Sequence, residues 1–148
     1  MAEILVVAEL SDDGFSVIVG ELLAAARSLD GRVSLALLGE SGESASDNAI
    51  ALGADVVYLV QEPLLADGSV DAQVSALEQV CDDISPSVVL IGKTLAGRDI
   101  GPRLAFRLGV GVAQDCVDLQ IDPETNRVVA TRPVYGGNAL AKVTFANI

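Results

Sequence analysis

Two hydrophobic periods follow one another along this chain, and the change between them marks its architecture. Short apolar runs occupy residues 4–8, 33–38, Val56–Val60 and 88–91. Runs of this length with little polar relief suit strands buried on both faces of a parallel sheet. Between them, apolar residues recur at helical spacing. Val19, Leu22, Leu23, Ala26 and Leu29 predict a helix over about residues 15–29. Val70, Val74, Leu77, Cys81 and Ile84 trace a second buried stripe, and Ile100, Leu104 and Leu108 a third over residues 98–108. A shorter helix over residues 45–52 stops at Gly53, a candidate C-cap. Ser11-Asp12-Asp13-Gly14, Asp30-Gly31, Asp67-Gly68 and Ser85-Pro86 punctuate these segments.

Four strand–helix alternations imply right-handed crossovers and a parallel sheet covered on both sides, the doubly wound α/β class. After residue 116 the period falls to two. Val117, Leu119 and Ile121 alternate with polar residues, Asp122-Pro123-Glu124-Thr125-Asn126 reads as a turn, and residues 128–131 as a strand. Gly136-Gly137 is a further turn, and Ala139, Ala141, Val143 and Phe145 line one face of a last strand. The parallel core therefore ends in an antiparallel extension, with no repeat and no linker. Residues 1–148 read as one domain.

Composition narrows the classes of function. No apolar run approaches the roughly 20 residues that span a bilayer. The first nine residues carry acids and no basic flank, so no secretion signal is expected and the expected location is the cytoplasm of a bacterium. There is no histidine, which excludes histidine-based acid–base chemistry and zinc sites. Cys81 and Cys116 read as reduced thiols. The net charge of −12 argues against nucleic acid. That charge is polarised: residues 1–92 carry 16 acidic and 2 basic side chains, and residues 93–148 carry 5 and 7. The last third either faces an anion or acidic partner, or is an ordinary surface beside an acidic body.

In sheets of this kind ligands bind beyond the carboxyl ends of the strands, here at residues 9–15, 39–44 and 92–98. The first of these turns, Glu9-Leu10-Ser11-Asp12-Asp13-Gly14, has three acids and one glycine, which disfavours a dinucleotide pyrophosphate; a Walker loop is absent as well. Gly92-Lys93-Thr94-Leu95-Ala96-Gly97-Arg98-Asp99 is better suited to an anion, with glycines, cations and a helix start. Thr94, Gly97 and Arg98 are the candidates for holding a cofactor, although Thr94 or Asp99 as a helix cap explains the same residues. The second cluster, Arg132-Pro133-Val134-Tyr135-Gly136-Gly137-Asn138, is either a hairpin turn or a docking surface for another domain.

Together these strings carry a resemblance. Gly92-Lys93-Thr94, then Gly97-Arg98-Asp99-Ile100-Gly101-Pro102-Arg103-Leu104, and above all Thr131-Arg132-Pro133-Val134-Tyr135-Gly136-Gly137-Asn138-Ala139 resemble the N-terminal domain of the alpha subunit of electron-transfer flavoproteins. The resemblance implies an adenine-nucleotide-hydrolase-like (Rossmann-like) fold serving as scaffold and partner surface in a heterodimeric electron carrier, not an enzyme. It implies a beta-type subunit as partner, dehydrogenases as electron donors and an acceptor such as a quinone reductase. Arg132, Tyr135, Gly136, Gly137 and Asn138 would form the partner interface. Flavin adenine dinucleotide (FAD) would be held in the complete heterodimer, chiefly by a C-terminal flavin domain into which a family member continues past residue 148. The competing reading is a free-standing adenine-nucleotide-binding module of stress-protein type, resting on residues 92–99. An enzyme acting through a thiol is the weakest reading, since Cys81 sits on a buried helical stripe and Cys116 lacks any histidine partner.

Overall fold

The computed structural model describes residues 1–11, 14–39 and 43–146. Four strands form a parallel sheet: β1 (Ala2–Val7), β4 (Gly31–Leu38), β5 (Val56–Val60) and β6 (Val88–Leu90). Their order is β5-β4-β1-β6, so the first strand is central and the strand order reverses between β1 and β6. A two-residue hairpin, β2 (Leu10–Ser11) with β3 (Gly14–Phe15), follows β1. The expected turn residues Asp12 and Asp13, and residues 40–42 of the second crevice segment, lie outside the described residues.

Helices cover both faces. Helix α1 (Val17–Arg27) sends Val19, Leu23 and Ala26 onto Ile4, Val6, Val33, Leu35 and Leu37, and Ala49 of α2 (Glu43–Ala51) joins the same layer. On the opposite face, α3 (Val70–Ile84) and α4 (Leu95–Leu108) pack Val74, Leu77, Cys81, Ile100 and Leu104 onto Leu5, Val7 and Ala36. Alternate residues of one strand thus feed opposite cores, as a pleated strand buried on both sides requires. The one fully buried polar residue inside the sheet, Ser34, donates its hydroxyl to the Glu3 carboxylate, so its burial leaves no orphaned group.

Helix ends follow local chemistry. After α2, Gly53 takes φ 115°, Ala54 N–H donates to Ala49 C=O and Gly53 N–H to Ile50 C=O, a Schellman pattern that confirms the expected cap. Gly109 repeats it after α4, with φ 66° and bonds from Val110 N–H to Ala105 C=O and Gly109 N–H to Phe106 C=O. Ser69 caps α3 through Ala72 N–H. Arg103 and Arg107, one turn apart on α4, reach Asp71 and Glu78 of α3 at 2.7 and 2.9 Å. Part of the charge polarity is therefore internal, because basic residues of the last third neutralise acids of the first part.

The C-terminal extension is a separate antiparallel sheet of β7 (Asp118–Ile121), β8 (Val128–Val134) and β9 (Ala139–Val143), in that order. Leu119 and Ile121 are half-buried against the α1 side of the core while Asp118 and Gln120 face water, as the alternation predicted. Two boundaries differ from expectation. Strand β8 continues three residues past 131, and the last strand ends at Val143, leaving Phe145 outside it against Gly111.

Candidate functional site

The carboxyl ends of β1 and β6 open a crevice of about 330 Å³ lined by Val7, Glu9, Leu38, Gln73, Gly92 and Gly97 among others. This is the topological switch point, where sheets of this class place their ligands. Its construction starts with Gly97. A side-chain carbon on that residue would lie 1.8 Å from the Gly92 carbonyl oxygen, so glycine is what lets α4 start directly on the end of β6. Thr94 is the N-cap: its Oγ1 accepts from Gly97 N–H at 3.1 Å, while its hydroxyl donates to Glu9 Oε2 at 2.6 Å. A cap alone is worth about 1 kcal/mol. The second bond ties the loop after the first strand to the fourth helix across 85 residues.

This arrangement answers what the turn can hold. A pyrophosphate at the switch point needs free amides at the helix start and no competing anion. Here the Gly97 amide is taken by Thr94, and the group facing the turn is the Glu9 carboxylate. Lys93 pairs with Asp115. Arg98 is exposed and makes no ion pair with a described residue. The residues of this turn do not fit a flavin or nucleotide pyrophosphate. Thr94 and Gly97 serve the junction of strand and helix. Helix α4 begins at Leu95 instead of residue 98 because this cap precedes it.

The second cluster is a protruding hairpin. Among the described residues, β8 beyond Thr131 has only β9 beside it, with Arg132 opposite Ala141, Pro133 opposite Leu140 and Val134 opposite Ala139. Its tip, Tyr135–Gly137, is a tight turn in left-handed backbone, in which Tyr135 adopts φ 52°, Gly136 65° and Gly137 89°. Left-handed backbone is costly for a tyrosine and suits the two glycines. It is held by Asn138, whose Nδ2 donates to Tyr135 C=O at 3.0 Å and whose backbone N–H does so at 3.3 Å. Tyr135 is 84% exposed, and Leu140, paired with Pro133, is 66% exposed. Arg132 lies half-buried with its Nε enclosed and without a partner. Its positive charge opposes the burial that raises the Cys116 thiol above its ordinary pKa.

The two clusters are distinct. No hydrogen bond or ion pair joins them among the described residues. Their one common ground is a larger cleft of about 1090 Å³, to which Arg98 and Pro133 both contribute. That cleft was not apparent in the sequence. Its signal was the small apolar run Gly109-Val110-Gly111-Val112-Ala113, which follows a helix-ending glycine and has no period.

The fold and crevice define a doubly wound α/β protein whose switch-point turn carries its own helix cap and a carboxylate. The chain belongs to the electron transfer flavoprotein domain family, whose model matches residues 4–147. It is 38% identical over 127 residues to the electron transfer flavoprotein subunit alpha of Thermoanaerobacterium thermosaccharolyticum, covering 83% of this chain and 38% of that one. With the corresponding Bacillus subtilis subunit it shares 32% over 143 residues, 95% of this chain and 43% of that one. It also matches protein FixB of Azorhizobium caulinodans, at 34% over 134 residues, 86% and 36% of the two chains. The chain thus spans about two-fifths of the length of these relatives. The alpha-type resemblance carried by residues 92–104 and 131–139 stands at the level of the family. No described helix is long and apolar enough to cross a membrane.

Proposed function

We propose that this chain is the alpha-type N-terminal domain of a heterodimeric flavin electron carrier, working as scaffold and docking surface and not as an enzyme. The exposed Tyr135 tip is the observation that carries this reading. A left-handed, hydrogen-bonded turn holds one of the chain's five aromatic residues out in solvent, on a hairpin that also carries the exposed Leu140 and the half-buried Arg132. Tyrosine and arginine are the residues from which interface hot spots are most often built. In this reading the beta-type subunit binds over Arg132, Tyr135, Gly136, Gly137 and Asn138. On this reading FAD resides in the complete heterodimer, away from Thr94 and Gly97, which join β6 to α4, and away from the exposed Arg98. Dehydrogenases supply the electrons, an acceptor such as a quinone reductase receives them, and the setting is the bacterial cytoplasm.

The test is co-purification of the chain with a beta-type electron-transfer flavoprotein subunit, read by native mass spectrometry. A one-to-one complex is expected; Tyr135→Ala, at an exposed side chain, should weaken it while leaving the thermal melt of the free chain unchanged, and Arg132→Glu should weaken it further, with its melt read alongside because Nε is enclosed. Binding indifferent to both substitutions would overturn the assignment of this hairpin.

A further inference from the structure

The crevice at the switch point does not suit a phosphate, and its lining has a definite chemistry of its own. Leu38 at the end of β4, Leu65, Ile91 just after β6 and Ile100 on α4 give it apolar walls. Two half-buried polar residues line it with them, Glu9 from the loop after β1 and Gln73 on α3. Glu9 is the one charged residue of that lining, which holds no lysine or arginine. Among the described residues it joins no ion pair. Its backbone C=O accepts from Ser16 N–H at 3.0 Å and its Oε2 accepts the Thr94 hydroxyl at 2.6 Å, so the carboxylate is fixed in place. Its Oε1 receives no hydrogen bond from a described residue, and neither does the Gln73 side-chain amide make one. A carboxylate drawn half out of water beside apolar walls, with no cation against it, leaves its charge unbalanced.

We propose that this crevice binds a small organic cation, an ammonium or amidinium carried on an apolar body about the size of one substituted ring. The cationic head pairs with Glu9, whose Oε1 is open as an acceptor. The body packs against Leu38, Leu65, Ile91 and Ile100, and a volume of about 330 Å³ lies at the small end of ligand pockets. An anion is turned away twice, by the Glu9 charge and by the use of the Gly97 amide in the Thr94 cap. A bare divalent metal is a poor occupant, because it takes about six oxygen ligands and no group of three or more carboxylates or thiols gathers among the described residues. The wider field has the right sign: residues 1–92, which include Glu9 and Gln73, carry 16 acidic and 2 basic side chains. The site is separate from the hairpin assigned to a beta-type subunit, so either assignment can fail without the other.

The experiment titrates the intact, isotope-labelled chain with benzamidine and with phenethylamine, followed by amide chemical shifts in NMR spectra. Saturable shifts are expected at residues 8–10, 73 and 92–97. Benzamide, which has the shape of benzamidine without its charge, should bind about tenfold more weakly or worse, and benzoate should not bind. Glu9→Gln retains an acceptor for the Thr94 hydroxyl and should weaken benzamidine on the order of tenfold or more. Gln73→Lys brings a competing cation to the crevice and should abolish binding. The amide spectrum of each variant shows whether it is folded. No saturable shift with either amine, equal binding of benzamide, or binding that survives both substitutions overturns the inference. Shifts spread over other acidic surfaces and linear in ligand concentration overturn it as well, since they report general attraction to an acidic body. An acetylated Gly-Arg-Gly amide that binds more tightly than both amines overturns the occupant, placing the side chain of a protein partner there instead.

Discussion

Replacing Gly97 by alanine tests the junction on which the site description rests. The added methyl would lie 1.8 Å from the Gly92 carbonyl oxygen and 3.2 Å from Ile91 Cγ2, whereas real contacts essentially never fall below 3.0 Å. The nearest atom is backbone, so no side-chain rotation relieves the clash, and the first turn of α4 must retreat by about 1 Å. Overpacking costs about 1–3 kcal/mol and sometimes more. The retreat also stretches the Thr94 cap, worth about 1 kcal/mol. The helix preference of alanine over glycine returns about 1 kcal/mol. A net loss of about 1–3 kcal/mol follows, or roughly 3–10 °C in Tm for a domain of this size. Gly20→Ala is the internal control. Gly20 is also helical, but nothing lies within 4 Å of its added carbon, so that substitution should stabilise by about 0.5–1 kcal/mol. Urea unfolding followed by circular dichroism measures both. If Gly97→Ala were as stable as the parent, the first turn would be free to move and the close packing of α4 on β6 would not be what requires glycine.

The cap itself is tested by Thr94→Val, which removes both hydroxyl bonds; a loss of about 2–3 kcal/mol is expected, with Thr94→Ser close to the parent. Asp55 receives Arg27 at 2.8 Å and the Val33 N–H at 2.8 Å, and these hold its carboxyl below the ordinary 3.8. A depressed folded pKa stabilises the fold at pH values above 3.8, and that contribution is lost as pH falls through the folded value. Asp55→Asn should therefore cost about 1 kcal/mol or less at neutral pH, the pair being exposed, with the difference vanishing in acid unfolding curves. Burial pushes the Cys81 thiol up to about 11. Ellman's reagent at neutral pH should label the exposed Cys116 and reach Cys81 only in denaturant; rapid labelling of both would contradict the packing of α3.

Where a segment answers only to its own sequence, periodicity located it well. Strand Val56–Val60 and helix Val70–Ile84 were legible residue for residue, the helix ending where Ser85 turns left-handed before Pro86. The start of α4 was placed three residues late because Gly97 looks like a loop residue; the need for it comes from the carbonyl of Gly92, five residues earlier in the loop after β6. Strand β8 runs through Pro133 because β7 ends its pairing at Thr131 and leaves that stretch with a single neighbour, where a missing N–H is tolerated. At the site, Glu9 was legible as an acid in the wrong place for a phosphate. Its bond to Thr94 was not, since no local pattern links residues 85 apart. The cleft beside β6 arises from four elements at once and has no sequence period to reveal it.

The central place of the first strand has a consequence in time. During synthesis, β1 gains its first neighbour when residues 31–38 emerge, but its other edge waits for residues 88–90. At ribosomal speeds of about 5–20 residues per second, roughly 4–16 s separate the making of β1 from that of β6. For most of that interval Leu5 and Val7 lack α3, α4 comes later still, and one edge of the strand is free to pair with whatever is near. A nascent chain of this design is most vulnerable while its oldest strand is only half covered, so that trigger-factor-like holdases have more to protect at its amino terminus than at any later segment.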